Sequence, residues 1–188
     1  MKRLLCVYWL ACALGLHCVV ASTSAEQAGR ALARPLDVIY IPTPREVVTA
    51  MLQMAHVGGA DVVYDLGSGD GRIVIAAVKE FGASRAVGID IDESRIQEAN
   101  ENARQAGVKS RVEFRKQNLF DTSLSEATVV ALYLSPTVNL QLHQKFLAEL
   151  KPGTRIVSHA FDMGDWMPLE TRTVSGRMVY LWTIPMRP

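Results

Sequence analysis

Three glycines at alternate positions, Gly67, Gly69 and Gly71, join the apolar run Asp61 to Leu66 to a helical pattern, Ile73 to Phe81. Such a turn lets the backbone approach a ligand closely and adopt conformations that side chains forbid. Between a buried strand and a helix, it belongs at the carboxyl end of a strand in a parallel sheet. The rest of the chain continues the alternation. "RAVGIDI" reads as a second strand and Asp92 to Ala106 as a helix, with Ile96, Ala99, Ala103 and Ala106 on one face and Gly107 as its stop. "RVEFR" is a third strand. "ATVVALYL" is a fourth, apolar throughout and therefore central. Val138 to Leu150 is a helix closed by Lys151-Pro152-Gly153, and "TRIVSHAF" is a fifth strand. "ETRTV" and "MVYLWTI" flank Ser175-Gly176 as an antiparallel pair. Ahead of the first strand, Thr43, Pro44 and Glu46 predict a T-x-x-E capping box opening a helix on which Val47, Met51 and Met54 recur. The predicted fold is α/β: a Rossmann-like, doubly wound, mainly parallel seven-strand sheet with a C-terminal antiparallel strand pair.

The first residues are of another kind. Lys2 and Arg3 precede an apolar stretch, Leu4 to Val20, and small residues follow from Ala21 to Ala25. That is the order of a secretory signal, and an uncleaved membrane anchor or a misassigned start are the alternatives. Residues 1–25 are thus expected to be a signal peptide or anchor, 26–39 a connector, and 40–188 the folded domain. The domain is expected to be exported to the periplasm or tethered to the inner membrane, on a side the sequence leaves open. All three cysteines lie in this leader, so disulfides and thiolate chemistry are excluded from the domain. No histidine pair has metal-ligand spacing, and no metal is expected. Twenty Lys and Arg balance 19 Asp and Glu, which gives no basic excess for a nucleic-acid partner.

The glycine spacing is G-x-G-x-G. A dinucleotide fingerprint would need a third glycine at Arg72, and no Gly-Lys-Ser/Thr follows as in a P-loop. Asp65, two residues ahead of Gly67, would repel a pyrophosphate and attract an ammonium. S-adenosylmethionine carries an ammonium and no phosphate. Asp90 ends the second strand, where a carboxylate can accept hydrogen bonds from both ribose hydroxyls. Asn118 follows the third strand within reach of an adenine edge, with Leu119 beside the ring.

"VVYDLGSGDGR" and "VGIDID" resemble motif I and the acidic loop of the class I, seven-strand methyltransferases. With "YIPTP", "ATVVALYLSPTVN", "LKPGTRIVSHAF" and Gly164 to Pro168, the chain resembles the FAM173 family of protein-lysine methyltransferases and its bacterial relatives. The resemblance implies methyl transfer from S-adenosylmethionine to a lysine ε-amine. Motif I carries over onto Asp65, Gly67, Gly69 and Gly71, and the acidic loop onto Asp90; Ser68, within the loop, is a further cofactor-binding candidate. Asn118 stands where an aspartate is commoner. A small-molecule acceptor is the second choice, and an exported, non-catalytic nucleoside-binding or interaction domain is the reading from another class.

Three further residues are candidates for the reacting end. Tyr40 and Thr43 either shape the start of the first helix or cover the methionine end of the cofactor. Tyr133 ends the fourth strand beside the expected methyl position. Tyr133 to Pro136 replaces the Asn-Pro-Pro-Tyr signature of amide and nucleobase amino-methyltransferases, which counts against those substrates. Asp70 is read as a loop charge and Asp92 as a helix N-cap. His159 reads as a hydrogen-bonded structural histidine before a base, and Trp166 as either a loop anchor or a lid. No strong base is needed, because transfer to an amine rests on alignment and desolvation.

Overall fold

The structure, a computed structural model, describes residues 41–186. The leader, the connector and Tyr40 lie outside those residues. Among these residues are seven strands and four α-helices: α1 (Arg45–Met54), β1 (Val62–Leu66), α2 (Arg72–Lys79), β2 (Arg85–Asp90), α3 (Glu93–Gln105), β3 (Val112–Lys116), β4 (Val129–Leu132), α4 (Pro136–Glu149), β5 (Arg155–His159), β6 (Glu170–Val174) and β7 (Arg177–Thr183). Their order in the single sheet is β3-β2-β1-β4-β5-β7-β6. The first five strands pair in parallel and the last two antiparallel. Strand order reverses between β1 and β4, which is where a ligand crevice opens at the carboxyl ends.

Period-two alternation divides the core between the two faces. Val63, Val129, Ala131 and Val157 point toward α1 and α2, while Tyr64, Leu66, Val130, Leu132 and Ile156 point toward α4. All four residues of β4 are fully buried, as its continuous apolar run predicts for a central strand. In α3, the buried stripe is Ile96, Ala99 and Ala103, so small side chains let that helix lie close to the sheet. Asp92 caps it, accepting from Ser94 N at 2.8 Å.

The start of α1 differs from expectation. The helix begins at Arg45, Pro44 is its N-cap residue, and no side chain caps it. Thr43 does not form the capping box, because its hydroxyl is bonded across the fold to His159 Nδ1 at 3.2 Å. Helix α4 likewise starts at Pro136, two residues before the expected Val138. Ser135 caps it by accepting from Val138 N, and Pro136 occupies the first turn, where a missing N–H costs nothing.

Candidate functional site

The glycine loop is fixed from below by β2. Gly67 N and Ser68 N donate to Ile89 O at 2.8 and 2.9 Å. All three loop glycines have positive φ: 83° at Gly67, 51° at Gly69 and 80° at Gly71. A Cβ on Gly67 would lie 2.8 Å from Leu134 Cδ2, and one on Gly71 would lie 2.6 Å from Phe114 Cζ. Gly71→Ala is therefore expected to cost about 2 kcal/mol or more, from φ strain plus overpacking. Urea denaturation with an unchanged m-value checks this. Gly88 lies within β2, and a Cβ added there would meet Phe114 at 2.5 Å and Ser68 Oγ at 2.7 Å. A glycine inside a strand is a signal of such close approach.

Above the loop lies a cleft, open at its mouth and lined from Ile41 to Thr43, along the glycine loop, past Ile89 to Asp92, and by Gln117 to Leu119, Tyr133 and Leu134. Thr43, Asp65, Gly67, Ser68, Asp90, Asn118, Leu119 and Tyr133 all line it. Gly69 and Gly71 shape the loop without appearing on its wall. Tyr40 lies outside the described residues.

Within the cleft the polar groups are unequal. Asp65 is only 2% exposed, and burial, then Asp90 and Asp70, push its carboxyl well above the usual carboxylate range. Asp90 accepts from Gly69 N at 2.8 Å through Oδ2 and from Asp92 N at 3.0 Å through Oδ1. It thus braces the loop while facing the cleft, and each oxygen retains a lone pair for a ligand hydroxyl. Asn118 Oδ1 accepts from Phe120 N at 3.0 Å, capping a 3-10 turn over Leu119–Asp121. The expected adenine contact must therefore share that oxygen or use the Asn118 amide. The buried Ser68 hydroxyl has no hydrogen-bond partner among the described residues. Buried polar groups are normally satisfied, and this one is turned onto β2, where a Cβ on Gly88 would meet it at 2.7 Å.

Arg72 emerges as a residue the sequence reading did not place. Its guanidinium grips Asp70 through Nε at 3.0 Å and Nη2 at 2.6 Å, while Nη1 donates to Thr43 O at 2.9 Å. The residue that breaks the dinucleotide pattern therefore ties the glycine loop to the segment before α1. His159 makes the second tie through Thr43 and is 1% exposed. Its ring lies 3.9 Å from that of Tyr133, centroid to centroid. Burial, then Arg177, lowers its pKa to about 4, so it is neutral at physiological pH. An unfolded histidine titrates near 6.5, so the unfolded state takes up a proton first as pH falls. Stability is expected to fall between pH 6.5 and about 4, by about 3 kcal/mol at the low end. Melting temperatures across that window should diverge from those of His159→Gln, which lacks the titration.

Trp166 is anchored: its ring stacks on His143 at 4.6 Å and its carbonyl accepts from Trp182 Nε1 at 2.7 Å.

The sequence profile of the ANTKMT methyltransferase domain matches residues 65–170. A Saccharolobus islandicus protein named protein-lysine N-methyltransferase is 48% identical over 149 residues, covering 77% of this chain and 92% of that one. The adenine nucleotide translocase lysine N-methyltransferase of Mus musculus is 34% identical over 134 residues, covering 71% of this chain and 58% of its own length. The chain thus spans little more than half of that relative. A crystal structure described as an RNA methyltransferase from Salinibacter ruber, in complex with S-adenosyl-L-homocysteine, has a TM-score of 0.77 and 53% identity. The match covers 79% of this chain and 96% of the other.

Proposed function

Because the chain belongs to the ANTKMT methyltransferase family and is an S-adenosylmethionine-dependent methyltransferase, we propose that its methyl acceptor is the side-chain amine of a protein lysine. The observation that carries this reading is the charge of the cleft. Four acidic side chains line it, Asp65, Asp70, Asp90 and Asp92, with the Asp65 carboxyl held well above its usual range, against two guanidiniums, Arg72 and Arg95. Both guanidiniums are in ion pairs, with Asp70 and Glu98 respectively, so Asp70 is matched as well and Asp90 and Asp92 carry the negative excess. Such a mouth draws in an ammonium and repels a polyanion. The protein-lysine methyltransferase of Saccharolobus islandicus supports the same acceptor.

In this reading Asp65 holds the cofactor's ammonium, and the backbone from Gly67 to Gly71, with Ser68, cradles its amino-acid end. Asp90 accepts from the ribose, and Asn118 and Leu119 meet the adenine. Thr43 and Tyr133 border the reacting end. S-adenosylmethionine supplies a methyl group activated on a sulfonium. The neutral lysine nitrogen forms the new N–C bond as the C–S bond breaks, and the product ammonium then loses a proton to water. The residues' share is to align the amine and to dry the channel. Desolvation disfavours the ammonium and lowers an amine pKa that is otherwise about 10.4.

The Salinibacter ruber likeness raises RNA as a second acceptor. One experiment separates them: methyl-tritiated S-adenosylmethionine with an extract from cells lacking the enzyme. Label sensitive to protease and resistant to ribonuclease is expected. Label lost to ribonuclease would replace lysine with RNA.

The apolar segment Leu4 to Val20 is proposed to tether the domain on the membrane side that holds S-adenosylmethionine, since an exported domain would meet little of it. Retention in the membrane fraction after alkaline extraction, with the domain digested only when protease reaches the cytosol, is the expected result. Release of a processed soluble form would overturn it.

A further inference from the structure

The end of β5 is built with more constraint than a strand exit needs. Ala160 has φ of 68°, and Phe161 N donates to His159 O at 2.9 Å, the geometry of a classic γ-turn, which is rare and strained. Two buried side chains hold it. Ser158 Oγ donates to Phe161 O at 2.7 Å, and Asn139 Nδ2 donates to the same oxygen at 3.2 Å. The Asn139 amide also reaches Ser158 Oγ and Asp162 O, both at 3.3 Å. Asn139 and Ser158 are both fully buried. Strain over-determined by buried polar groups marks a position that is held for a purpose.

What the turn holds is the Phe161 ring, stacked on Tyr133 at 6.3 Å with an interplanar angle of 15°. Neither ring is in the core: both are half-buried, whereas Phe146 and Trp182 are buried. Tyr133 lines the cofactor cleft, and Phe161, outside that lining, stacks on it. Behind them His159 is uncharged at neutral pH and repels no ammonium. Asp162 follows, exposed, with a carboxylate that accepts from Gly164 N.

We propose that Phe161 and Tyr133 together form the apolar wall along which the acceptor's methylene chain lies, and that Asn139 is the positioning residue that fixes Phe161. This rests on the lysine reading above. Aromatic faces suit a flexible aliphatic stem that ends in a cationic or freshly methylated amine, and they keep water from the reacting nitrogen. Asp162 meets the ammonium before it enters.

The test uses the full chain, methyl-tritiated S-adenosylmethionine and protein extract from cells lacking the enzyme, varied in concentration. Phe161→Ala is expected to raise the half-saturating extract concentration about tenfold, while S-adenosylhomocysteine binds within twofold of wild type. Phe161→Tyr should stay near wild type. Asn139→Ala should raise half-saturation in the same way, and the double variant should be little worse than either single one, because both changes remove the same wall. A merely structural Asn139 would instead lower S-adenosylhomocysteine affinity and stability with no selective effect on the acceptor. Unchanged half-saturation in Phe161→Ala overturns the inference, as does an equal loss of S-adenosylhomocysteine binding. A wild-type enzyme that binds S-adenosylhomocysteine but labels no lysine refutes the lysine reading itself, and the inference falls with it.

Discussion

Asp65→Asn is expected to weaken S-adenosylhomocysteine binding by roughly a hundredfold or more, because truncating one member of a buried charge pair costs about 2–5 kcal/mol. Fold should survive, since the asparagine fills the same space at the end of β1. The more telling result is the pH dependence. In the free protein the Asp65 carboxyl is held well above its usual range by burial and by Asp90 and Asp70. A bound ammonium favours the ionised form and lowers it, so binding releases a proton. Wild-type affinity should therefore rise with pH, by up to tenfold per pH unit, through the window between the bound and free values. Asp65→Asn should be flat. Stability of the free protein runs the other way. Between the unfolded carboxylate value near 3.9 and the raised folded one, the folded state holds the extra proton. Stability thus falls as pH rises through that window, and the free Asp65→Asn protein should be the more stable of the two at pH 8. Calorimetric titrations and melting curves from pH 5 to 8 check both signs.

The second large effect lies at the opposite end of the sheet. Asp61 pairs with Arg155, accepts from Thr128 Oγ1 at 2.7 Å and accepts from Gly58 N at 2.8 Å. Arg155 Nη1 also donates to Ala55 O at 2.7 Å and His56 O at 3.1 Å, binding two carbonyls just past the end of α1. The pair is mostly buried, with side-chain exposures of 24% for Arg155 and 10% for Asp61. Removing one partner leaves the other charge uncompensated, so Asp61→Ala is expected to cost about 3–5 kcal/mol. That corresponds to roughly 6–20 °C in Tm. Asp61→Ala combined with Arg155→Met should cost less than the sum of the single changes. S-adenosylhomocysteine affinity at temperatures where the variants remain folded should not change, because the pair stands at the amino ends of β1 and β5. Matching losses in affinity would show that the two ends are coupled.

These two sites were not equally legible. The strands, the helices and the glycine loop follow from local pattern, since a buried parallel strand reads as a continuous apolar run and the turn needs glycines where φ is positive. Asp65 and Asp90 were legible too, because their positions at strand ends fix where they face. What the sequence hid is what distant residues do for one another. Thr43 looked like a local cap, yet its partner is His159, 116 residues away. Arg72 was visible only as a missing glycine, although it joins the loop to Thr43. Nothing local identifies the carbonyl an arginine will find. Asn118 lies between these cases: its bond to Phe120 N is a local turn the sequence permits, but only the fold shows that it competes with a ligand contact. The γ-turn at Ala160 left no composition signal at all, because the residue that adopts it is not a glycine.

The central claim is the chemistry of the acceptor, and the most direct measurement identifies the labelled product. Protein labelled by the full chain from methyl-tritiated S-adenosylmethionine would be acid-hydrolysed and its amino acids separated, with Asp65→Asn as the control. Tritium in Nε-methylated lysine, absent with Asp65→Asn, is the result predicted. Tritium in methylarginine or in a methylated nucleoside, with none in lysine, would contradict the account.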